Sequence, residues 1–353
     1  MKISAIVPVW NGRELVARLV ATLAAQTLPA AEVLIVDNGS TDGAPEVARA
    51  AGARVIAMGR NAGFAAAVNR GIREAAHPLV AILNSDVELA PDYLERLAAA
   101  DAPFATGKIL SPSGLLDGSF DMTCRGATTW RCGAGRHDAA PFDQPRENAS
   151  PPWTAVLYRA EVFRQVGLLE ASFESYLEDA DFGLRCAAQG INGRYVPEAR
   201  AIHLGSAALG RWHSETVRRI ARNQVLLAAR HYGPRHAWPV LAAQLLWGAV
   251  AIRHGRGLAW ARGKVQGLRL FSAARVQMRG SDHSGDGEKA RRKWLAGESA
   301  CPTEAQRGTD AFVCQPADPQ LLDQALRSNE QFIRAVSRDT YWKLYFLLTG
   351  GAK

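Results

Sequence analysis

Cysteine is scarce in this sequence and odd in number: five in 353 residues, and none of Cys124, Cys132, Cys186, Cys301 and Cys314 stands in a CxxC pair. That argues against a zinc ribbon and against a disulfide-built scaffold, and fits a reduced cytosol. Cys124 and Cys132 lie close enough to pair across a loop, but inert thiols are the simpler reading. Long apolar runs are missing too. The longest, 237–252, is interrupted by Gln244 and flanked by Arg and His. It falls short of the ~20 residues a spanning helix needs, which leaves an interfacial helix or a buried core helix. The first nine residues run straight into a strand-like segment, without the charged, apolar and cleavage regions of a secretory leader. A cytoplasmic protein is therefore expected, and the sequon at Asn148 carries no meaning. No internal repeat is visible.

Acidic residues are absent from one long stretch. Residues 216–281 hold twelve Lys and Arg and no Asp or Glu, while the whole chain carries only +8, so the remainder is net acidic. Basic charge confined to one segment points to a local anionic partner such as acidic lipid or phosphate, or else to a solvated helical face. That segment contains no recognisable nucleic-acid reading motif, which argues against a nucleic-acid partner. Hydrophobic content of 48% and charged content of 22% are ordinary for a globular chain with a sizeable core.

What is present is an alternation. Apolar, β-rich runs at 3–9, 33–36, 55–58 and 79–83 are separated by segments of helical spacing at 13–25, 45–51 and 64–75. Short, fully apolar strands alternating with helices predict a mostly parallel α/β sheet covered on both faces. The stretch 111–152 is rich in Gly, Pro, Asp and Ser and reads as a long loop or insertion. Regular structure resumes at 153–166, a helix is expected over 176–190 and a strand over 195–203. Beyond 216 helical, basic and aromatic segments take over. A polar, Gly-rich stretch near 281–310 is expected to be flexible, and a helix is expected over 320–348.

In parallel α/β sheets ligands bind outside the carboxyl ends of the strands. Asp37 follows the second strand, Asp86 follows the fourth, and Glu178, Asp179 and Asp181 open a later helix. A carboxylate after a strand suits a hard divalent cation, which neutralises a leaving diphosphate, or hydrogen bonds from a base or ribose. Taken singly, each is equally a turn, a helix cap or a charged first helical turn.

Together the blocks AIVPVWNG (5–12), VLIVDNGSTDG (33–43), RNAGFAAAVNRGI (60–72), AILNSDVELAPDYLERL (81–97), YLEDADFGLRCAAQG (176–190), VPEARAIHLGS (196–206) and RNQVLLAARHYG (222–233) resemble a family 2 glycosyltransferase of the GT-A fold. They lie near the rhamnosyltransferase and galactofuranosyltransferase branch. The resemblance implies a Rossmann-like, mostly parallel sheet flanked by helices over 1–232, followed by a basic, mainly helical extension over 233–353. It further implies an inverting transferase that needs Mn²⁺ or Mg²⁺.

Carried over by position, the resemblance assigns Pro8, Trp10, Asn11, Asp37, Asn38, Asn61, Gly63, Phe64, Asn84 and Ser85 to the nucleotide sugar. Asn84 and Asp86 stand where the family has its DxD motif. Asp86 and His203 are the expected metal ligands, and His203 is otherwise a hydrogen-bonded histidine at a strand end. Asp179 is the expected general base, with Glu178 and Asp181 holding acceptor hydroxyls or tuning it. Trp153 is either an acceptor-side aromatic or core. Leu169 departs from the family, which usually carries an acid there.

The resemblance implies a dTDP- or UDP-sugar donor, with dTDP-L-rhamnose foremost and UDP-galactofuranose next. The acceptor implied is a glycan or polyprenyl-diphosphate-linked glycan of the cell surface. Two further classes stay open: a non-catalytic nucleotide-sugar or glycan binder, and a nucleotidylyltransferase, whose Gly-rich basic opening AIVPVWNGRE lacks. The tail, with Trp238, Trp247 and Trp260, is expected either to lie on an anionic membrane at the inner face of the cell membrane or to form a homodimer.

Overall fold

The computed structural model describes residues 1–148, 150–205, 212–279 and 317–351. The flexible stretch expected near 281–310, together with Cys301 and Cys314, lies outside them.

The first four strands are β1 (Ile3–Val9), β2 (Glu32–Asp37), β3 (Arg54–Ala57) and β4 (Leu79–Leu83), joined through α1 (Arg13–Ala24), α2 (Ala44–Ala50) and α3 (Phe64–Glu74). All are within a residue of expectation. β1 pairs parallel with both β2 and β4, and β2 with β3. Their apolar runs are buried on both faces. Ile3, Ala5, Val7 and Val9 meet Val16, Leu19, Val20 and Leu23 of α1, while Ile6 and Ile82 meet Val68 and Ile72 of α3. Each such aliphatic side chain contributes about 1.5–3 kcal/mol by leaving water. Gly71 permits the close approach of α3 to the sheet, since a Cβ there would lie 2.3 Å from Ile6 Cγ2.

The chain continues through β5 (Val87–Leu89), α4 (Tyr93–Ala99), β6 (Phe104–Leu110), β7 (Leu116–Gly118), the hairpin β8 (Asp121–Thr123) and β9 (Thr129–Arg131), and β10 (Arg146–Asn148). Then come β11 (Ala155–Arg159), α5 (Ala160–Val166), α6 (Glu178–Ala187) and β12 (Gly193–His203). The sheet order is β10-β12-β6-β11-β4-β1-β2-β3, with β5 on β12 and β7 on β6. β11 runs antiparallel between β4 and β6. The order reverses beside β1: β2 and β3 extend to one side of it and β4 lies on the other. Such a switch opens a crevice at the carboxyl ends of β1 and β4.

Among the described residues five helices follow: α7 (Ser214–His231), α8 (Ala237–Arg253), α9 (Gly257–Arg279), α10 (Pro319–Val336) and α11 (Thr340–Thr349). The single helix expected over 320–348 is two, parted at Ser337–Asp339. These helices share a core with the insertion: Phe120, Met122, Cys124, Cys132 and Phe142 pack against Ala243, Ile333, Trp342 and Tyr345. Glu330, fully buried on α10, takes the Arg125 guanidinium at 2.7 Å, the Arg125 amide at 3.0 Å and the Tyr345 hydroxyl at 2.6 Å. Cys124 and Cys132 are buried free thiols, and burial pushes Cys124 up to about 12, so the inert reading holds. Among the described residues no helix is long and apolar enough to cross a membrane.

Candidate active site

A cavity of about 780 Å³ opens at the switch point. Pro8 near the end of β1 and Trp10, Asn11 and Gly12 after it border the cavity, as do Asn84, Ser85 and Asp86 after β4. Phe64 opens α3, and Glu178 and Asp179 open α6. His203 at the end of β12 and Trp153 complete the residues that were expected there.

Local structure aims each of them. Asn11 is left-handed (φ 62°); its amide donates to Ser40 Oγ at 2.8 Å and its Oδ1 accepts from the Thr41 amide at 2.9 Å. Asp42 Oδ2 takes the Gly12 and Arg13 amides at 2.6 and 2.9 Å, satisfying orphan donors at the start of α1. Leu15, in the first turn of α1, also borders the cavity. Trp10 is 53% exposed at the rim, an aromatic face left free for a planar ring.

His203 and Asp86 meet because β12 pairs antiparallel with β5. The register sets His203 opposite Val87, and the Leu204 amide donates to Asp86 O at 2.8 Å. His203 Nε2 lies 3.1 Å from Asp86 Oδ1, yet this buried nitrogen makes no well-aligned hydrogen bond. Nδ1 is held at 2.9 Å by Asp117 Oδ2 of β7. Burial works against the charged ring, but Asp117 and Asp86 outweigh it and push the imidazole up to about 9. A ring nitrogen lacking an aligned partner, beside a carboxylate and oriented from behind by a second carboxylate, fits a divalent cation that displaces the ring proton.

A group of acids borders the same cavity. Asp121 and Arg131 face each other across the β8–β9 hairpin, with Arg131 Nε 3.6 Å from Asp121 Oδ1 and Arg131 Nη1 3.6 Å from Asp117 Oδ2. Burial, helped by the charges of Asp179 and Asp117 and opposed by Arg131, pushes Asp121 up to about 7. Burial and the charge of Asp179 hold Glu178 well above the carboxylate range. Asp179 is raised by burial in spite of Arg131 and of its own hydrogen bond from the Ala180 amide at 2.8 Å. A carboxylate raised in this way accepts a proton more readily.

The segment before α6 is strained. Glu174, Tyr176 and Leu177 all have positive φ (60°, 75° and 66°). Asn223 of α7, fully buried, clamps it, its Nδ2 donating to the carbonyls of Phe173, Ser175 and Tyr176 at 2.9, 3.0 and 2.7 Å. Gly63 lies against the same segment, where a Cβ would come 2.8 Å from Glu174 O.

Four expected nucleotide residues do not line the cavity. Asp37 Oδ1 accepts from the Ser40 amide at 2.9 Å, and Asn38 binds Gly63 O and the Ala62 amide, each at 3.0 Å. Asn61 Oδ1 accepts from the Gly63 amide at 3.0 Å. They knit together the loops that carry Asn11 and Phe64. Asp181 departs from expectation outright. It is fully buried away from the cavity, 2.7 Å from Arg230 Nε, 2.8 Å from His231 Nε2 and 3.1 Å from Arg185 Nε. Against burial, Arg230 and Arg185 hold it well below the carboxylate range. Two helical positions past Asp179, it points into the protein as a structural anion rather than a catalytic one.

Trp153 answers to both readings. It is 3% exposed and packs on Tyr158 and Phe182 (centroids 5.3 and 5.2 Å), yet it also borders the cavity. Leu169, where an acid was expected, is core, its backbone exchanging two hydrogen bonds with the Asn69 amide at 2.8 and 2.9 Å.

The sequence reading missed Asp117, Asp121, Thr128, Thr129 and Arg131, all from the stretch read as a loop. It also missed the wall of Trp212, Ile220, Gln224 and Trp247. Gln224 lies within the RNQVLLAARHYG block and was within reach of that signal; the three-residue strands of the hairpin offered none.

The sheet order and the crevice are those of the GT-A fold. Residues 4–103 match the family model "Glycosyl transferase family 2", so the chain carries a family 2 glycosyltransferase domain and is a glycosyltransferase. Among curated proteins it is similar to N-acetylglucosaminyl-diphospho-decaprenol L-rhamnosyltransferase of Mycobacterium tuberculosis, 29% identical over 67% of this chain and 86% of the relative. It is also similar to the O-antigen biosynthesis protein RfbC of Myxococcus xanthus, 32% identical over 59% of this chain but only 18% of that protein. Among solved structures, GalNAc-T7 with UDP, GalNAc and Mn²⁺ superimposes with a TM-score of 0.56 at 14% identity. That alignment covers 86% of this chain and 59% of the other, and it speaks to the fold.

Proposed function

We propose that this protein transfers L-rhamnose from dTDP-L-rhamnose, with inversion, to a hydroxyl of a lipid-linked glycan in cell-surface polysaccharide synthesis. The observation that carries the reading is one cavity at the switch point, bordered both by Asp86 with His203 and by Asp179 among raised carboxylates. The relative, named as an N-acetylglucosaminyl-diphospho-decaprenol L-rhamnosyltransferase, supports the sugar and the acceptor class.

Trp10 and Phe64 receive the base and ribose, and Asn11, Asn84 and Ser85 hydrogen-bond the donor. Asp86 and His203 would hold Mn²⁺ or Mg²⁺, consistent with the Mn²⁺ in the GalNAc-T7 structure; such a cation, when bound, offsets the charge of the departing diphosphate. Asp179 takes the proton of the acceptor hydroxyl as its oxygen bonds to the anomeric carbon. The bond to the nucleoside diphosphate breaks on the opposite face, so a single displacement inverts the centre. Glu178, Asp121 and Arg131 surround the base and set its proton affinity, while Trp153 backs the acceptor sugar.

The test is binding and turnover of dTDP-rhamnose, UDP-galactofuranose, UDP-galactose, UDP-glucose and GDP-mannose, with and without Mn²⁺ or Mg²⁺. Metal-dependent binding of dTDP-rhamnose, lost in Asp86→Ala, is expected. Asp179→Asn should keep donor binding and lose turnover. Preference for another donor overturns the sugar, and a folded protein that binds none overturns the reading.

A further inference from the structure

The tail divides its apolar residues between three directions. On α8, Pro239, Ala242, Ala243, Gly248 and Ala251 are buried, and Trp247 borders the cavity. Trp260 of α9 packs over Gly248. Of the three tail tryptophans expected at a membrane, only Trp238 therefore faces out.

The outward face of α8 is nonetheless apolar. Trp238, Leu241, Leu245 and Ile252 are 50–65% exposed and, with exposed Ala249, fall at helical spacing along one stripe. Neighbouring helices extend it. Trp238 Nε1 donates to Leu348 O at 2.9 Å, joining α8 to α11, whose Leu344, Leu347 and Leu348 are exposed. At the other end of α8, Ile252 leads into α9, where Leu258, Val265 and Leu268 are exposed.

The charge among these side chains has one sign. Arg253, Arg262 and Arg269 are exposed and have no ion pair among the described residues; Lys343 is exposed on α11. No acid occurs anywhere in α8, α9 or α11. Apolar ridges interleaved with unneutralised arginines are complementary to an anionic bilayer, in which leucine and tryptophan enter the acyl boundary and arginine meets phosphate.

We propose that α8, with the exposed faces of α9 and α11, docks this protein on an anionic lipid bilayer. The same helix offers Trp247 to the cavity, so the docking helix is also a wall of the site. A lipid-linked acceptor therefore keeps its tail in the bilayer while its sugar reaches Asp179. That consequence rests on the acceptor proposed above; the docking itself does not.

The experiment is co-flotation of the full chain with vesicles of phosphatidylcholine alone or of an equimolar mixture with phosphatidylglycerol. Binding to the anionic vesicles is expected. It should fall roughly tenfold or more in Leu241→Glu/Leu245→Glu/Ile252→Glu, and on the order of a hundredfold in Arg253→Gln/Arg262→Gln/Arg269→Gln. All these positions are exposed, and both variants should hydrolyse donor in solution as the parent does. Equal binding to neutral vesicles, or unchanged binding of either variant, overturns the proposal. So does a parent dimer that the Glu variant converts to monomer, which would make a second copy the occupant of the ridge. Loss of the donor activity alone would bear on the proposed reaction and not on docking.

Discussion

Replacing Asn223 tests whether a residue that lines no part of the cavity sets its geometry. Its amide is the clamp on three carbonyls of a segment with three left-handed, non-glycine residues. Phe173 O keeps the Ser175 amide at 2.7 Å, so Asn223→Ala strips the buried partner chiefly from Ser175 O and Tyr176 O. Leaving an acceptor unpaired there costs about 1–3 kcal/mol, so the loss of two should be about 2–6 kcal/mol. Each left-handed residue stores about 1–3 kcal/mol of strain, and the released segment will relax.

Tyr176 and Leu177 border the cavity and lead directly into Glu178 and Asp179. A shift of an ångström there should lower kcat by roughly a hundredfold. Donor affinity should hold, because β1 and β4 carry that side of the site. Asn223→Asp should be worse than alanine, since it aims carboxylate oxygen at carbonyl oxygen. The assays are urea unfolding and steady-state release of nucleoside diphosphate. Stability within about 0.5 kcal/mol of the parent for alanine, with aspartate no worse, would refute the reasoning.

Arg230→Met leaves Glu170 and one oxygen of Asp181 without their cation in a site where both acids are buried, and should cost about 3–5 kcal/mol in denaturant unfolding. Gly63→Ala forces a Cβ against Glu174 O in a backbone region (φ 90°, ψ 165°) open only to glycine; it should lose about 1–3 kcal/mol of stability and weaken donor binding, read by calorimetry. Asp121 is raised from 3.8 to about 7 in the fold, so the folded state holds a proton that the unfolded state releases, and its contribution to stability falls as pH rises between those values. Asp121→Asn should therefore stabilise the protein relative to the parent at pH above 7, with the difference vanishing below pH 4 in urea titrations.

The parallel half of the sheet was legible because its strands are buried on both faces and its helices bury one, so composition and periodicity coincide from Ile3 to Leu83. Asp86 and Asp179 were legible for a related reason: Asp86 follows β4 and Asp179 opens α6, at element ends that the periodicity marks. Asp181 was misread because its spacing from Asp179 looks like proximity, whereas two helical positions turn the side chain to the opposite face, toward Arg230 on a helix forty-nine residues away. Asp117, Asp121 and Arg131 were illegible because three-residue strands have no period to detect, and long-range partners alone give the hairpin its shape. Likewise the loop-binding duty of Asn38 and Asn223 follows from carbonyls that only the folded chain presents.

The Glu330 anchor has a consequence for the order in which the site is made. The hairpin that carries Asp121 and Arg131 is pinned through Arg125 to a partner 205 residues further along the chain. Every residue that borders the cavity precedes α10 in the chain, yet the hairpin wall takes its tether from α10. On the ribosome the chain therefore holds all of its cavity residues before the wall that carries Asp121 and Arg131 is fastened.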